Sequence, residues 1–323
     1  MFQGGQRVGT GDGVVLATDL LGVTLSAGQN VKNYNFCEIP PASIGGMVWQ
    51  ESDPNGSFDP GDVPIPGVLI DLIDDTGAVI QQQQTDGAGK YRFTALRPGV
   101  YSVREHQPAS LFHGGEFVGD LGGQIGGDDL LVGITLAGGQ DGNDYNFPEV
   151  PPAVLSGFVF QDGGAILTSD AIDPANLRNF RDGQLTPDDT RLAGITLELR
   201  NILGLPFDAS RALAGTYPDG PIRTTTNELG YYEFTGLRPG TYHVYQVQPD
   251  NFIDGLDTPG TTGGVAVNPA DTLSEDDQIT IQTLSLSELT DPRDDAILNI
   301  TLAGGARSEN NNFSEIVVEE PQY

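Results

Sequence analysis

Short runs in which apolar and polar residues largely alternate recur along the chain, each closed by a turn rich in Gly, Pro or Asp. Between residues 68 and 104 they are Val68-Leu69-Ile70-Asp71-Leu72-Ile73, Tyr91-Arg92-Phe93 and Val100-Tyr101-Ser102-Val103-Arg104. A period of two puts successive side chains on opposite faces of a strand, so each run reads as a strand with one face on a core. Asp75-Thr76-Gly77, Asp86-Gly87-Ala88-Gly89 and Arg97-Pro98-Gly99 separate them, with residues that tolerate positive φ or preset it. Turns spaced at roughly 8 to 12 residues predict an antiparallel β-sandwich of about seven strands. The same order returns as Ile195-Thr196-Leu197-Glu198-Leu199, Tyr231-Tyr232-Glu233-Phe234 and Thr241-Tyr242-His243-Val244-Tyr245, with insertions at 164–179, around 201–222 and at 264–295.

The pattern is a tandem repeat. Three tails are present: Gly22-Val23-Thr24-Leu25 to Asn33-Tyr34-Asn35-Phe36, Gly133-Ile134-Thr135-Leu136 to Asp144-Tyr145-Asn146-Phe147, and Asn299-Ile300-Thr301-Leu302 to Asn311-Asn312-Phe313. Val23 and Ile134 stand 111 residues apart and Ile134 and Ile300 stand 166 apart, so each unit is domain-sized and not a solenoid turn. Two heads are present, Gly46-Met47-Val48-Trp49-Gln50 and Gly157-Phe158-Val159-Phe160-Gln161, each entered through a Pro-Pro pair at 40–41 and 151–152. Residues 1–38 are therefore expected to be the C-terminal part of an incomplete repeat, since Phe2-Gln3-Gly4-Gly5 resembles Phe112-His113-Gly114-Gly115. Complete repeats are expected at 44–150 and 154–316, with a linker starting at 317–323. A segment of 38 residues is too short for a core of its own. It is expected to complete a preceding repeat, or to be donated as strands to another subunit.

Composition supports tandem β domains and narrows the partners. With 44 Gly and 22 Pro among 323 residues, long helices are disfavoured. A net charge of −30 repels nucleic-acid phosphates and anionic lipid and leaves divalent cations as the natural counter-charge, or else marks a solvated acidic surface. Cys37 is the single cysteine, which excludes an intramolecular disulfide framework and fits a small residue in a tail strand. There is no basic-then-apolar leader pattern and no run of 18 apolar residues, so no membrane contact is expected of this segment.

The motifs resemble a known family. Gly67-Val68, Thr85-Asp86 to Gly89-Lys90-Tyr91-Arg92-Phe93, Leu96-Arg97-Pro98-Gly99-Val100-Tyr101-Ser102-Val103 and Glu105 to Pro108 are similar to the B-repeat domains (SdrD B-like) of bacterial serine-aspartate repeat adhesins, within the wider Cna-B group. Thr226 to Gly230-Tyr231-Tyr232-Glu233-Phe234, Leu237-Arg238-Pro239-Gly240-Thr241-Tyr242 and Gln248-Pro249 repeat the pattern. The resemblance implies an all-β, Ig-like sandwich in an extracellular, cell-surface protein. It implies a structural stalk or fibre whose partners are neighbouring repeats or copies of the same protein. An adhesin that binds a surface ligand through the inserted loops of the second complete repeat is the alternative.

One loop carries cation chemistry. Glu51-Ser52-Asp53-Pro54-Asn55-Gly56-Ser57-Phe58-Asp59-Pro60-Gly61-Asp62 sets oxygen side chains at positions 1, 3, 5, 9 and 12 of twelve, with Gly at 6, which is EF-hand spacing. Glu51, Asp53, Asn55, Asp59 and Asp62 are the expected side-chain ligands, with Ser57 ligating through its carbonyl. Glu51 stands where Asp is usual, and Asp62 is too short to copy a bidentate Glu. The same spacing also suits an acidic turn that binds nothing. The resemblance favours Ca2+, because B-repeats carry such loops directly after the first strand. In the second complete repeat the set is divided, with Asp162 first and then Asp182, Gln184, Thr186 and Asp189; Phe180 falls at position 3, and Asp170 or Asp173 are the replacements. Asp254-Gly255-Leu256-Asp257 and Asp128-Asp129 are acidic pairs that either complete a second ion site or face water.

Enzyme chemistry is not expected. His106, His113 and His243 occupy no position common to the repeats and read as surface or strand residues, so there is no base aimed at a nucleophile. The Lys-Asn isopeptide bond of many Cna-B domains needs a lysine on the first strand, whereas the lysines here are Lys32 and Lys90. Asn146 and Asn312 therefore read as ordinary tail residues. Tyr101 and Tyr242 suggest packing or a corner hydrogen bond, and Trp49 and Phe160 read as core.

Overall fold

The computed structural model describes residues 1–53, 55–167, 182–250, 252–268 and 295–319. Most of the insertions at 164–179 and 264–295, together with Asp170, Asp173 and Phe180, lie outside the described residues. Two compact units form, Met1–Pro108 with His113–Glu149, and Ala109–Phe112 with Val150–Tyr323. Among the described residues the helical content is one 3-10 turn, Ala209–Arg211.

In the first unit the strand Gly99–Glu105 lies between Leu69–Ile73 and Leu130–Leu136, antiparallel to both, with Val79–Gln84 and Gln124–Gly127 at the edges. The facing sheet is built on the head strand Ala42–Gln50, antiparallel to Lys90–Leu96. Alternation does what the pattern requires: Ile70, Leu72, Tyr91, Phe93, Tyr101 and Val103 point into one core with Ile44, Val48, Ile134 and Phe147. The second unit repeats this plan with Gly240–Gln246 between Thr196–Arg200 and Ala296–Leu302, and the head strand Ala153–Gln161 against Tyr231–Leu237. Its core holds Leu155, Val159, Tyr232, Phe234, Tyr242, Val244, Ile300 and Phe313. Trp49 and Phe160 are both buried.

The sheets are not antiparallel throughout. Each head strand runs parallel to the tail of its own repeat, Val48 beside Phe147 and Gln50 beside Glu149, then Val159 beside Phe313 and Gln161 beside Glu315. The first and last strands of each sandwich are thus neighbours pointing the same way. The approach is close enough that a Cβ on Gly46 would overlap the Tyr145 carbonyl oxygen and one on Gly157 the Asn311 carbonyl oxygen. The tail asparagines seal the seam: Asn146 Oδ1 accepts the Met47 N–H at 2.9 Å and Asn312 Oδ1 accepts the Phe158 N–H at 3.1 Å. Both conserve the chain's hydrogen-bond accounting where the ladder is interrupted. Tyr101 donates to the Arg97 carbonyl at 2.8 Å and Tyr242 to that of Arg238, which are the corner hydrogen bonds.

The segment 1–38 forms two small antiparallel pairs, Phe2–Arg7 with Asn35–Ile39 and Val14–Ala17 with Leu20–Gly22. None of its residues is buried, and Cys37 is exposed on its strand, so it has no core of its own. The Arg97 guanidinium stacks over the Phe2 ring at 4.6 Å.

Candidate cation sites in the two repeats

The acidic loop leaves the end of the head strand, and its start is tied to the tail: the Glu51 N–H donates to the Glu149 carbonyl at 2.8 Å. Glu51 turns inward, and its Oε1 accepts the Gly56 N–H at 2.6 Å. Gly56 has φ of +71°, the left-handed turn that position 6 demands. Asp62 closes the loop with one oxygen on the Ser52 N–H at 2.8 Å and the other on the Asp59 N–H at 3.0 Å. The Asn55 amide bridges Asp53 and Asp59 at 2.6 and 2.7 Å, while its oxygen accepts the Ser57 N–H at 2.7 Å. One oxygen from each of Asp53, Asp59 and Asp62 lies within 4.8 Å of the others. Burial, and then the charges of Asp62, Asp53 and Asp59, lift the Glu51 carboxyl above the usual range against the pull of the Gly56 N–H.

The divided loop of the second repeat reproduces the bonds to backbone N–H groups, without the bridge that the Asn55 amide makes. Asp162 N–H donates to the Glu315 carbonyl at 2.9 Å, and Asp162 Oδ2 accepts the Gly183 N–H at 2.9 Å, with φ of +68° at Gly183. Asp189 accepts the Gly163 N–H at 2.8 Å and the Thr186 N–H at 2.6 Å, as Asp62 accepts those of Ser52 and Asp59. Asp182 accepts the Gln184 N–H at 2.8 Å, and the Thr186 hydroxyl donates to Asp188 at 2.6 Å. The insertion therefore returns the chain to the position where the uninterrupted loop continues. Both loops present hard oxygen donors around a glycine-centred turn, the donor set that suits Ca2+.

A second acidic group lies deeper in each repeat. In the first, Glu105 at the end of Gly99–Glu105 is 3% exposed, and neither of its carboxylate oxygens has a hydrogen-bond partner among the described residues. Glu149 is fully buried; Gln107 donates to its Oε2, and its Oε1 has no partner among the described residues. His113 Nδ1 stands 2.8 Å from Asp129 Oδ1, and Glu116 Oε1 accepts the Asp129 N–H at 2.5 Å. Burial and the neighbouring carboxylates push Glu105 up to about 10, and burial likewise pushes Glu149 to about 8, partly offset by Gln107.

In the second repeat the amides of Gln246 and Gln248 donate to the two oxygens of Glu315, the latter at 2.7 Å. Asp254, Asp257 and Asp295 each place an oxygen within 4.8 Å of the others, and all three are buried. The carboxylate oxygens of Asp257 and Asp295 have no hydrogen-bond partner among the described residues. Burial lifts Asp295 to about 8 and Glu315 to about 9, and holds Asp257 well above the usual range with help from the Asp295 and Glu315 charges. The Gln246 amide approaches Asp295 and offsets part of its rise without meeting hydrogen-bond geometry.

Backbone bonds make the two groups equivalent. Gly114 and Phe117 donate to Pro148 and Asn146 in the first repeat as Gly255 and Thr258 donate to Ser314 and Asn312 in the second. His113 thus corresponds to Asp254, Glu116 to Asp257, Asp129 to Asp295 and Glu149 to Glu315. Of the acidic pairs singled out in the sequence, only Asp128 faces water; Asp254 and Asp257 are interior. His113, read as a surface or strand residue, lies on the short strand Phe112–His113 and is half-buried against three carboxylates. His106 pairs with buried Asp71 at 3.0 Å, and His243 is buried on its strand. Sequence could not place His113, because its partners come from separate segments that only the sheet order assembles.

Two facing β-sheets with a seam of parallel first and last strands, repeated with acidic loops at equivalent places, define a tandem β-sandwich protein. Residues 42–120 match the SdrD B-like domain. That stretch carries the SdrD B-like pattern that its turn motifs imply. The chain is similar to serine-aspartate repeat-containing protein D of Staphylococcus aureus strain Newman, 26% identical over 240 residues that make up 72% of this chain and 15% of that protein. Protein E of strain USA300 is 26% identical over 219 residues, 66% of this chain and 16% of that protein. The chain therefore spans under a fifth of the length of these curated relatives. Among solved structures, the minor pilin GBS52 of Streptococcus agalactiae aligns over 88% of this chain and 98% of its own, with 12% identity and a TM-score of 0.31.

Proposed function

We propose that this segment is a structural element of a bacterial cell-surface stalk or fibre, stiffened by Ca2+ bound in the loops at 51–62 and at 162 with 182–189. The observation that carries the reading is the agreement of the backbone bonds of the two loops across an insertion, which keeps the turn and the first and last carboxylates. Without a cation, Asp53, Asp59 and Asp62 repel one another at close range. An ion with six to eight oxygen ligands converts that repulsion into attachment and fixes the loop to the sandwich. Short Pro-Pro linkers limit bending between repeats. The relatives are serine-aspartate repeat proteins by name, in keeping with a surface role.

Thermal melting and limited proteolysis in Ca2+ and in chelator test it. The expected result is a higher Tm and slower cleavage in Ca2+, with the gain reduced in Asp59→Asn and Asp189→Asn. Equal melting and cleavage in both conditions would overturn the calcium reading.

A further inference from the structure

The deeper acidic group of the first repeat has a donor set unlike that of its counterpart. His113, Asp129 and Glu149 each place one ligand atom within 4.8 Å of the others. Glu149 is completely buried, one of its carboxylate oxygens enters this group, and its Oε1 has no hydrogen-bond partner among the described residues. Behind it stands Glu105, also buried and with both oxygens unsatisfied among the described residues. A buried polar atom without a partner is costly, and a charged one more so, so three such oxygens in one place are a standing cost.

Protonation alone does not remove that cost. A neutral carboxyl still needs an acceptor for its O–H, and Glu105 has none among the described residues. The basic side chain beside Glu116 and Asp129 among the described residues is His113, at 3.4 and 2.8 Å. A single imidazole ring stands among four carboxylates. Asp129 as a carboxylate can only accept, so without an ion His113 donates from Nδ1 at 2.8 Å, while Nε2 stands 3.4 Å from Glu116 Oε1. A cation would release the Nδ1 proton and leave Glu116 accepting from Nε2, the outer-shell arrangement that orients a histidine ligand.

We propose that His113, Asp129 and Glu149 form a buried site for a divalent transition cation of the Zn2+ class, backed by Glu105 and oriented by Glu116. Imidazole nitrogen with carboxylate oxygen suits such an ion, whereas Asp254, Asp257, Asp295 and Glu315 offer oxygen alone. The two repeats are thus alike in fold and unlike in the metal they select. This site is separate from the 51–62 loop, whose donors are all oxygen.

The test is a competition titration of the metal-stripped 323-residue chain with Zn2+ against a chromophoric chelator, with Ca2+ present to fill oxygen sites. One Zn2+ per chain is expected, and Co2+ in its place is expected to give visible absorption of a nitrogen-ligated ion. His113→Asp installs the residue found at the equivalent position of the second repeat, which supports its folding; circular dichroism checks this. That variant is expected to lose Zn2+ affinity by about 10-fold or more, as does folded Glu149→Gln. No Zn2+ uptake by the parent chain, or unchanged affinity in folded His113→Asp, would overturn the proposal.

Discussion

Single residues decide how the seam of each sandwich closes. Gly46 and Gly157 were legible in the sequence only as members of a repeated head; their reason is the tail carbonyl lying where a Cβ would be. Gly157→Ala must push the Asn311 loop off the head strand. The expected cost is about 2 kcal/mol, read as a lowered denaturant midpoint in urea unfolding. The tyrosine corner is a smaller matter: Tyr101→Phe removes one bond of 2.8 Å to the Arg97 carbonyl. It is expected to cost about 1 kcal/mol and to leave the cation response unchanged in thermal melts.

At the scale of elements, alternation identified the strands, because a two-residue period is a local property. It did not identify the parallel contact of head and tail, because the same alternation serves either direction and the partners lie about 100 residues apart in the first repeat and about 150 in the second. The acidic loop was legible as spacing, down to its glycine. Its divided copy was also read by aligning 182–189 on the first loop, and the Gly183 N–H bond to Asp162 adds where the chain resumes that loop. The strand Thr196–Arg200 adds a pH signature. Glu198 is buried, which favours its protonation, but Arg200 and Arg223 donate to it at 2.6 and 2.7 Å and together hold its carboxyl below the ordinary range. A depressed folded value contributes stability above the unfolded glutamate value of about 4.3 and loses it as pH falls through the folded one. Glu198→Gln is therefore expected to be less stable at neutral pH and to show a flatter loss of stability below about pH 4, measured by urea unfolding across pH.

For the molecule as a whole, the net charge of −30 signalled a need for cations without locating them. The loops were found by spacing, but the acids of the deeper groups come from four segments of the first repeat and three of the second, which no sequence window joins. Under the proposed reading their combined effect is a stability that depends on ions. Small-angle scattering in Ca2+ and in chelator should show a smaller spread of dimensions with Ca2+. Identical curves would mean that the ions do not stiffen the chain.

The parallel pairing of first and last strands has a further consequence. Because Gln50 lies beside Glu149 and Gln161 beside Glu315, the chain enters each sandwich at one end and leaves it at the other. A pull on the two termini therefore slides head against tail along their length and loads the hydrogen bonds of the seam in shear, all at once, where a hairpin would peel open one bond at a time. Each repeat resists at its own closure, and the Gly46 and Gly157 contacts sit on the line of force.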